Sequence, residues 1–335
     1  MPITITDVAK EAGVSTSTVS KVLNNWTTIS PATTKRVHQA IEKLNYIPNA
    51  RAVSFARQST KNIVFLTYLE KDSAYVNPHM FDIMCGAYSE ISKNGFTMTL
   101  QDVSKDTAKG ETISYLLSTK SCDGLIIHGS AISPHIAEAI IKQNFPHIII
   151  GHPGFESRLC WVDTNHALAG QLAAQHMIEH GYSSLAFIGG QKTDELSFQR
   201  QKGFLGTMYQ YGYQVPEDKV IYTTSTVDEG FEATKHLLSQ PNRPRGIVCE
   251  NNTLAIGSMK AIEQAGLSLP DDIAFLTFDA YPYSNIIDPK PTVIDIDVFD
   301  MGAQAGSMMI RKLENPSLLV QSFTTIPVIH SGQTT

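Results

Sequence analysis

From residue 61 onward, apolar runs of strand length alternate with amphipathic helical stripes. The pattern predicts strands at 62–68, 96–102, 124–128 and 147–151, and again at 184–189, 246–249 and 273–278. Helices are predicted between them, for example at 110–119, 134–142 and 255–265. Repeated strand–helix units indicate parallel sheets with helices on both faces. The series restarts on a helix striped by Leu168, Leu172 and Met177, so two α/β subdomains are predicted, with a ligand cleft at their strand ends.

The N-terminal segment has a different pattern of short helical stripes. Thr6 is predicted to cap a first helix, and Gly13 suits the turn after it. A second helix is predicted at 15–24, while Ser30 and Pro31 have the residue types of a cap and a first helical position. Three short helices with a glycine-containing turn are typical of a helix-turn-helix unit, which presents the start of its second helix to the DNA major groove.

Charge separates the same two regions. The chain has a formal net charge of −6, yet its first 60 residues carry seven Lys or Arg against three Asp or Glu. A basic head on an acidic body favours a module that binds a polyanion. The alternatives are a chance surface bias and a small helical cap on an enzyme, in which the exposed hydroxyl groups of the head have no role.

Composition excludes several classes of protein. The 42% of hydrophobic and 17% of charged residues are ordinary for a globular chain, and no apolar run reaches the length of a membrane span. The N-terminus lacks the apolar region of a secretory signal. The four cysteines are widely spaced without a CxxC pair, which argues against a disulfide scaffold or zinc ribbon and favours a reducing cytoplasm.

Motifs of catalysis and cofactor binding are absent from the sequence. There is no GxGxxG after a strand, no GxxxxGK[ST], no GxSxG and no HExxH. His176 and His180 have metal-ligand spacing but no acidic third ligand nearby in the sequence. We therefore expect no enzyme activity, no cofactor and no metal site.

The segment TITDVAKEAGVSTSTVSKVLN at 4–24 resembles the N-terminal signature of the LacI family of bacterial transcription regulators. The segment YIPNARAVSF at 46–55 is similar to the hinge of that family, and the rest of the chain is similar to its effector-binding core. The resemblance implies an α/β fold with a helix-turn-helix head at 1–48, a hinge at 49–60 and a periplasmic-binding-protein-like core at 61–335. Within the core it implies an N-subdomain of about 61–162 and 292–322 and a C-subdomain of about 163–291 and 323–335.

The resemblance also assigns DNA contacts. It implies that Thr16, Ser17 and Lys21 read bases and that a second set of hydroxyl and amide side chains binds phosphates: Thr4, Ser15, Thr18, Asn24, Ser30 and Thr33. Helix capping is the alternative role for the second set. In the hinge it implies a short helix with Asn49, Ala52 and Phe55, in which Phe55 stands where the family usually has a leucine wedge for the minor groove.

For the cleft, the resemblance implies that Arg200, in the motif RxxGF, and Asp279, after a predicted strand, clamp the effector. A salt bridge between them across the cleft is the structural alternative. Asn251 matches a ligand-binding amide, and His79 and Met80 stand where relatives carry aromatic rings. The chain departs from the family at Gly151, Asn252 and Thr164-Asn165, where carboxylates are common, so the resemblance does not identify the effector, and a different ligand and a weakly bound one are both alternatives.

Together these observations predict a cytoplasmic, homodimeric transcription regulator, expected to be a repressor, which binds a near-palindromic DNA operator and responds to a sugar or related polar metabolite. The alternative is a small-molecule-binding protein or enzyme with a non-functional head.

Overall fold

The computed structural model describes residues 3–24, 26–47, 59–69, 71, 78–106, 109–280, 284, 286–318 and 322–335. The chain divides into two compact units, Met1–Lys61 and Asn62–Thr335. The first unit is here called the head and the second the core. Asn49, Ala52 and Phe55 of the expected hinge lie outside the described residues.

The head contains three helices, α1 (Ile5–Ala12), α2 (Thr16–Leu23) and α3 (Pro31–Leu44). Gly13 ends α1 in the left-handed region at φ 63°, which is the turn that the sequence predicts. Ser15 and Ser30 cap α2 and α3 by accepting hydrogen bonds from the N–H groups of Thr18 and Thr33. The helix-turn-helix prediction is therefore confirmed.

The predicted cap of α1 was wrong by two residues. Thr4, not Thr6, precedes the helix, and its backbone N–H and its hydroxyl both donate to the Asp7 carboxylate (2.9 and 2.7 Å). These bonds lower the pKa of Asp7 below its usual value. Both threonines suit a cap by residue type. The acidic side chain three residues after Thr4 decides between them, because it completes a capping box.

The first lobe of the core is built on a six-stranded parallel sheet. Its strand order is β11-β5-β4-β3-β1-β2, and all its neighbours pair in parallel. The strands are β1 (Asn62–Thr67), β2 (Thr97–Asp102), β3 (Gly124–His128), β4 (His147–Ile150), β5 (Trp161–Thr164) and β11 (Ser322–Thr325). The helices are α4 (Pro78–Lys93), α5 (Glu111–Thr119), α6 (Pro134–Lys142) and α11 (Val298–Glu314). β1 is predicted well because Ile63 to Leu66 form an apolar run buried on both faces.

The second lobe has a similar six-stranded sheet in the order β12-β10-β9-β8-β6-β7, with one antiparallel pair, β10 with β12. The strands are β6 (Leu185–Gly189), β7 (Val220–Tyr222), β8 (Gly246–Cys249), β9 (Ala274–Phe278), β10 (Thr292–Asp295) and β12 (Val328–His330). The helices are α7 (His166–Glu179), α8 (Glu195–Gln210), α9 (Val227–Ser239) and α10 (Asn252–Gln264). Each sheet of the core has a hydrophobic cluster on both faces, so the predicted layers are confirmed.

The chain crosses between the lobes three times, and the crossings differ from the expected boundaries near 292 and 323. β10 pairs with β9 of the second sheet, so the crossing into α11 comes after Asp295. β11 pairs along its whole length with β5 of the first sheet, so the chain returns only after Thr325. The positions of these crossings are determined by which strands pair with each other. The local sequence pattern of a short strand does not show its pairing partner.

The buried side of α7 also differs from the predicted stripe. Ala169, Gly170, Ala173 and Ala174 are buried together with Met177, whereas Leu168 and Leu172 are only partly buried. Small residues occupy this face because α8 packs closely against it. Among the described residues, no helix is long and apolar enough to cross a membrane.

Candidate functional site

The head presents a row of polar side chains at the start of α2. Ser15, Thr16, Ser17 and Lys21 are exposed, and the hydroxyl of Ser15 lies 2.8 Å from that of Ser17. Beneath them Val19, together with Val8 and Val37 of the flanking helices, is fully buried. The small apolar centre therefore holds the three helices together and leaves the N-terminal turns of α2 facing solvent.

The expected phosphate-binding residues also have structural roles. Ser15, Ser30 and Thr4 precede the three helices, Ser30 donates from its hydroxyl to that of Thr33 (3.0 Å), and Asn24 donates to the Ser20 carbonyl (2.8 Å). Capping and phosphate binding remain compatible at these positions, since Thr4, Ser15 and Ser30 are exposed to solvent while they cap.

Trp26 is a residue that the sequence analysis did not consider. Its side chain is 57% exposed and lies under Lys21, with Nζ 5.6 Å from the ring centroid. An aromatic face below a cation restrains the long lysine side chain. The signal that could have found it is a lone tryptophan just after α2 in a polar loop.

In the core, buried ionic side chains form a chain of contacts, here called the inter-lobe network. Arg200 of α8 is only 1% exposed, and its Nη2 lies 3.3 Å from Oδ1 of Asp279, which follows β9. The other oxygen of Asp279 lies 3.6 Å from Nε2 of His79, on α4 of the first lobe. His79 and Asp279 therefore connect the two lobes.

The other donors of Arg200 are also engaged. Nη1 donates to the carbonyl of Glu250 (2.5 Å), Nε donates to Nδ1 of His166 (3.4 Å), and the guanidinium carbon lies 4.5 Å from the ring centroid of Phe278. Since arginine cannot act as an acceptor, His166 accepts at Nδ1 and donates at Nε2 to Asp163 of β5 (3.1 Å). The network thus runs from Asp163 through His166 and Arg200 to Asp279 and His79.

The electrostatics of the network follow from these contacts. Burial opposes ionisation of Asp279, but Arg200 and His79 outweigh it and lower its pKa to about 2. Burial likewise opposes protonation of His79, yet the Asp279 carboxylate raises the pKa of the imidazole above its usual value. Burial raises the pKa of Glu250, although Arg200 and hydrogen bonds from Ser197 and the Gly190 N–H favour the charged form.

The Asp279 carboxylate predicts an acid-sensitive core. Because its pKa is lower in the folded chain, its stabilising contribution is complete above the ordinary value of about 4 and is lost as the pH falls towards about 2. In the unmodified chain, the free energy of unfolding should therefore fall as the pH is lowered over this range. We expect a smaller fall in Asp279→Asn, measured by urea denaturation at several pH values. Asp218→Asn, on the exposed surface, is the control. Equal slopes for Asp279→Asn and the unmodified chain would contradict the ion pair.

Beside this network lies a cavity of about 880 Å³. Its walls are the carboxyl ends of β3, β4 and β5, including His128, Gly151 and Thr164, and the start of α8. Asp163 and His166 line it and belong to the network as well, whereas Arg200, Asp279 and His79 do not line it. The cavity thus meets the inter-lobe network at one wall.

Two family models match the chain. The model of bacterial regulatory proteins of the lacI family matches residues 4–49, and the model of the periplasmic binding protein-like domain matches residues 174–335. The chain belongs to the LacI family. The helix-turn-helix head and the two-lobed α/β core described above are the two parts that these models represent.

Curated relatives span almost the whole chain. The ribose operon repressor of Escherichia coli (strain K12) is 29% identical over 329 residues, which covers 97% of this chain and 98% of the relative. The HTH-type transcriptional repressor PurR of Actinobacillus pleuropneumoniae serotype 3 (strain JL03) is 28% identical over 312 residues, 93% of this chain and 91% of the relative. Both relatives are named as repressors.

Solved structures have the same fold. The Lac repressor dimer bound to operator and the anti-inducer ONPF matches with a TM-score of 0.83 at 21% identity, over 100% of this chain and 99% of that chain. The complex of the transcriptional regulator CelR with cellobiose matches with a TM-score of 0.75 at 21% identity, over 99% of this chain and 100% of that one. The predicted LacI-type architecture is therefore confirmed.

Within this LacI-family core, the structure brings together only some of the expected effector residues. Arg200 and Asp279 form the salt bridge that was the structural alternative, but within the second lobe and not across the cleft, and His79 of the first lobe also contacts Asp279. Asn251 caps α10 by accepting from the Leu254 N–H and donates to the Ser225 hydroxyl. Met80 packs against the hydrophobic cluster of the first lobe.

Sequence reasoning missed four residues that belong to the cavity wall or contact the network. His128 and Glu250 end or follow strands β3 and β8, and Asp163 and His166 flank the crossing from β5 to α7. The rule that ligand sites lie beyond the carboxyl ends of parallel strands would have nominated the first two. Asp163 immediately precedes Thr164, where the family's usual carboxylate is missing, so a carboxylate remains in this region.

Proposed function

We propose that this LacI-family chain is a sequence-specific DNA-binding repressor whose affinity for its operator is controlled by a small polar molecule bound in the core. One observation carries the proposal: a head with exposed hydroxyl groups at the start of its second helix belongs to the same chain as a two-lobed core with a polar cavity at its strand ends. The repressor names of the relatives support it.

For the head, the proposal assigns base reading to Thr16, Ser17 and Lys21, and phosphate contacts to the capping and neighbouring polar residues. Exposure of the first three supports this division, and caps such as Ser15 and Ser30 stand at helix N-termini, where phosphates bind readily. Asn49, Ala52 and Phe55 are proposed to enter the minor groove, on the resemblance of the hinge alone.

For the core, the proposal is that ligand binding changes how the two lobes close. A ligand shifts DNA affinity only if it binds open and closed cores differently, and the contact of His79 with Asp279 is one that closure makes or breaks. Arg200, Met80 and Asn251 complete the proposed effector region. We further propose a cytoplasmic homodimer without enzyme activity, since the Lac repressor of similar fold is a dimer on its operator.

Selection of DNA from a random library by the full-length chain tests the proposal. Enrichment of a near-palindromic sequence, with two half-sites related by a two-fold axis, is the expected result. Uniform, sequence-independent binding would contradict it, as the alternative of a non-functional head requires.

Ser17 supplies the sharper prediction within the selected operator. We expect Ser17→Ala to change the preference at one or two base positions, by about 1–3 kcal/mol at a base that the hydroxyl reads well. Fluorescence anisotropy on operators substituted at single positions measures this. Gln39→Ala, exposed on α3, is the control and should keep the original preference. If Ser17→Ala weakens binding equally on every sequence, the hydroxyl binds the DNA backbone instead.

A further inference from the structure

Trp26 is a large aromatic residue that the head does not use in its core. Its side chain is 57% exposed, just after α2, and the hydrophobic cluster described for the head does not include it. The next two residues, Thr27 and Thr28, are polar and exposed as well. Its contact with Lys21 places the indole on the same solvent-facing surface as the polar side chains of α2.

Backbone hydrogen bonds fix the position of this residue. The Trp26 N–H donates to the carbonyl of Lys21 (3.0 Å), and the Trp26 carbonyl accepts from the Ile29 N–H (3.4 Å). Ile29 in turn packs against the hydrophobic cluster of the head. The indole is thus carried by a turn that is attached both to the end of α2 and to the core of the head.

Lys21 is the cation that this ring contacts. It lies in the last turn of α2, next to the buried Val22, and its Nζ is 5.6 Å from the centroid of the Trp26 ring. Lys21 forms no ion pair with another residue of the described part of the chain, whereas Lys43 of α3 pairs with Glu11 (2.6 Å). The side chain of Lys21 is therefore held by an aromatic face and not by a carboxylate.

An aromatic face and a carboxylate affect a lysine differently. The face of a tryptophan attracts the ammonium modestly at an exposed site, and it leaves the positive charge unneutralised. The N–H donors of the ammonium can then still reach base acceptors, such as N7 and O6 of guanine. A carboxylate would compete with the DNA for the same donors. The ring therefore restrains Lys21 without removing the charge and the donors that base reading requires.

This restraint matters because the lysine side chain is flexible. Ordering its four-carbon stem in a complex costs rotamer entropy, and the cost is smaller when the unbound side chain is already held near one conformation. A held ammonium also meets acceptors at one place in the groove, whereas a mobile one reaches acceptors on neighbouring bases and phosphates. Loss of the ring should therefore reduce discrimination between bases more than it reduces total affinity for DNA.

We propose that Trp26 is a positioning residue for base recognition: its indole ring holds the ammonium of Lys21 and thereby sharpens the choice of the base that Lys21 reads. The inference rests on the proposed operator binding and on the role proposed there for Lys21. It gives the turn after α2 a part in sequence specificity, and it requires no contact between Trp26 itself and a base.

The test is fluorescence anisotropy of the full-length chain on its selected operator and on operators substituted at single positions. Discrimination at a position is the ratio of the affinities for the original and the substituted operator. Lys21→Met identifies the position that Lys21 reads, because discrimination is lost there. At that position Trp26→Leu, which keeps an apolar side chain but removes the ring, should reduce discrimination about two- to fivefold, the size of one exposed cation–π contact. In the Lys21→Met background the same change should have no effect on discrimination, since the effects of two residues that act together are not additive.

Further variants separate positioning from a structural role. Trp26→Phe keeps an aromatic face and should restore part of the discrimination that Trp26→Leu loses. Thr27→Ala, exposed in the same turn, is the matched control and should leave discrimination at that position unchanged.

A measurement without DNA tests the contact itself. When the lysines of the full-length chain are methylated with ¹³C, which preserves their charge, the NMR signal of Lys21 is assigned by its absence in Lys21→Arg. We expect this signal to be displaced by the ring current of Trp26, and the displacement to be lost in Trp26→Leu. The same signal position with and without the ring would overturn the proposal.

The binding results distinguish this inference from the proposed function. Unchanged discrimination in Trp26→Leu on a selected operator would overturn the positioning role, while the proposed repressor function would stand. Equal weakening on every sequence that persists in the Lys21→Met background would also overturn it, because Trp26 would then contact the DNA itself. If the chain selects no operator at all, the proposed function fails and this inference fails with it.

Discussion

Arg200→Ala is expected to lower the free energy of unfolding of the core by about 3–5 kcal/mol, the cost of removing one partner of a buried ion pair. The side chain is 1% exposed, and its removal leaves the Asp279 carboxylate buried without its cation. The Glu250 carbonyl and Nδ1 of His166 are left without their donors as well, and the ring of Phe278 loses its contact with the guanidinium. Urea denaturation of the purified chain, followed by circular dichroism, measures the change.

A matched arginine gives the control. Arg243 is exposed before β8, and Arg243→Ala should change the free energy of unfolding by no more than about 0.5 kcal/mol. The double variant Arg200→Ala with Asp279→Ala should cost less than the sum of the two single variants, because neither member of this ion pair is left buried without the other. Strict additivity, or a small effect of Arg200→Ala alone, would mean that the two side chains do not stabilise each other.

Because Arg200 belongs to a buried ion pair, an Arg200→Ala variant that no longer responds to the ligand would have two explanations. The RxxGF motif is the basis for expecting Arg200 to bind the effector, but an unresponsive Arg200→Ala variant would follow from disruption of the inter-lobe network as readily as from removal of a ligand-binding group. Variants on the cavity wall, such as His128→Ala, separate the two causes because the described hydrogen bonds of His128 are confined to Ser130.

The sequence predicted elements best where local signals agree with tertiary packing. The bounds of β3 and α6 are those of the predicted ranges, because the strand is an apolar run buried on both faces and the helix begins at Pro134 after the cap Ser133. The cap of α1 was misplaced because two threonines, Thr4 and Thr6, both suit an N-cap by residue type.

The site could be predicted only in part, because its chemistry is assembled from distant segments. Arg200 and Asp279 were found through the family motif, yet their mutual contact depends on the pairing of β9 with β8 and on the packing of α8. The sequence does not show whether a charged residue is buried. It therefore cannot distinguish a guanidinium whose donors are already engaged in hydrogen bonds from one that is free to bind a ligand. Asp163 and His166 were missed for the same reason: their role comes from the network and not from a local pattern.

The packing of α7 against α8 is a second feature that hydrophobic periodicity does not reveal. Gly170 of α7 and Gly203 of α8 allow the two backbones to touch. A Cβ on Gly170 would lie 1.9 Å from the carbonyl oxygen of Arg200, and one on Gly203 would lie 1.9 Å from that of Ala167. These close approaches position the backbone of Arg200, so the geometry of the network depends on two residues without side chains.

Gly203→Ala is therefore expected to destabilise the core by about 3 kcal/mol or more, since the added methyl group meets rigid backbone and the helices must separate. Gly206→Ala, one turn further along α8, is the control: no atom lies within 4 Å of its added methyl group, and alanine favours the helix by up to about 1 kcal/mol. Thermal and urea unfolding of the two variants should thus shift in opposite directions.

Because separation of the helices also displaces Arg200, amide hydrogen exchange at the start of α7 should increase in Gly203→Ala alone. Similar stability of the two variants would show that α7 and α8 can accommodate the added methyl group. The close approach of their backbones would then not determine the position of Arg200.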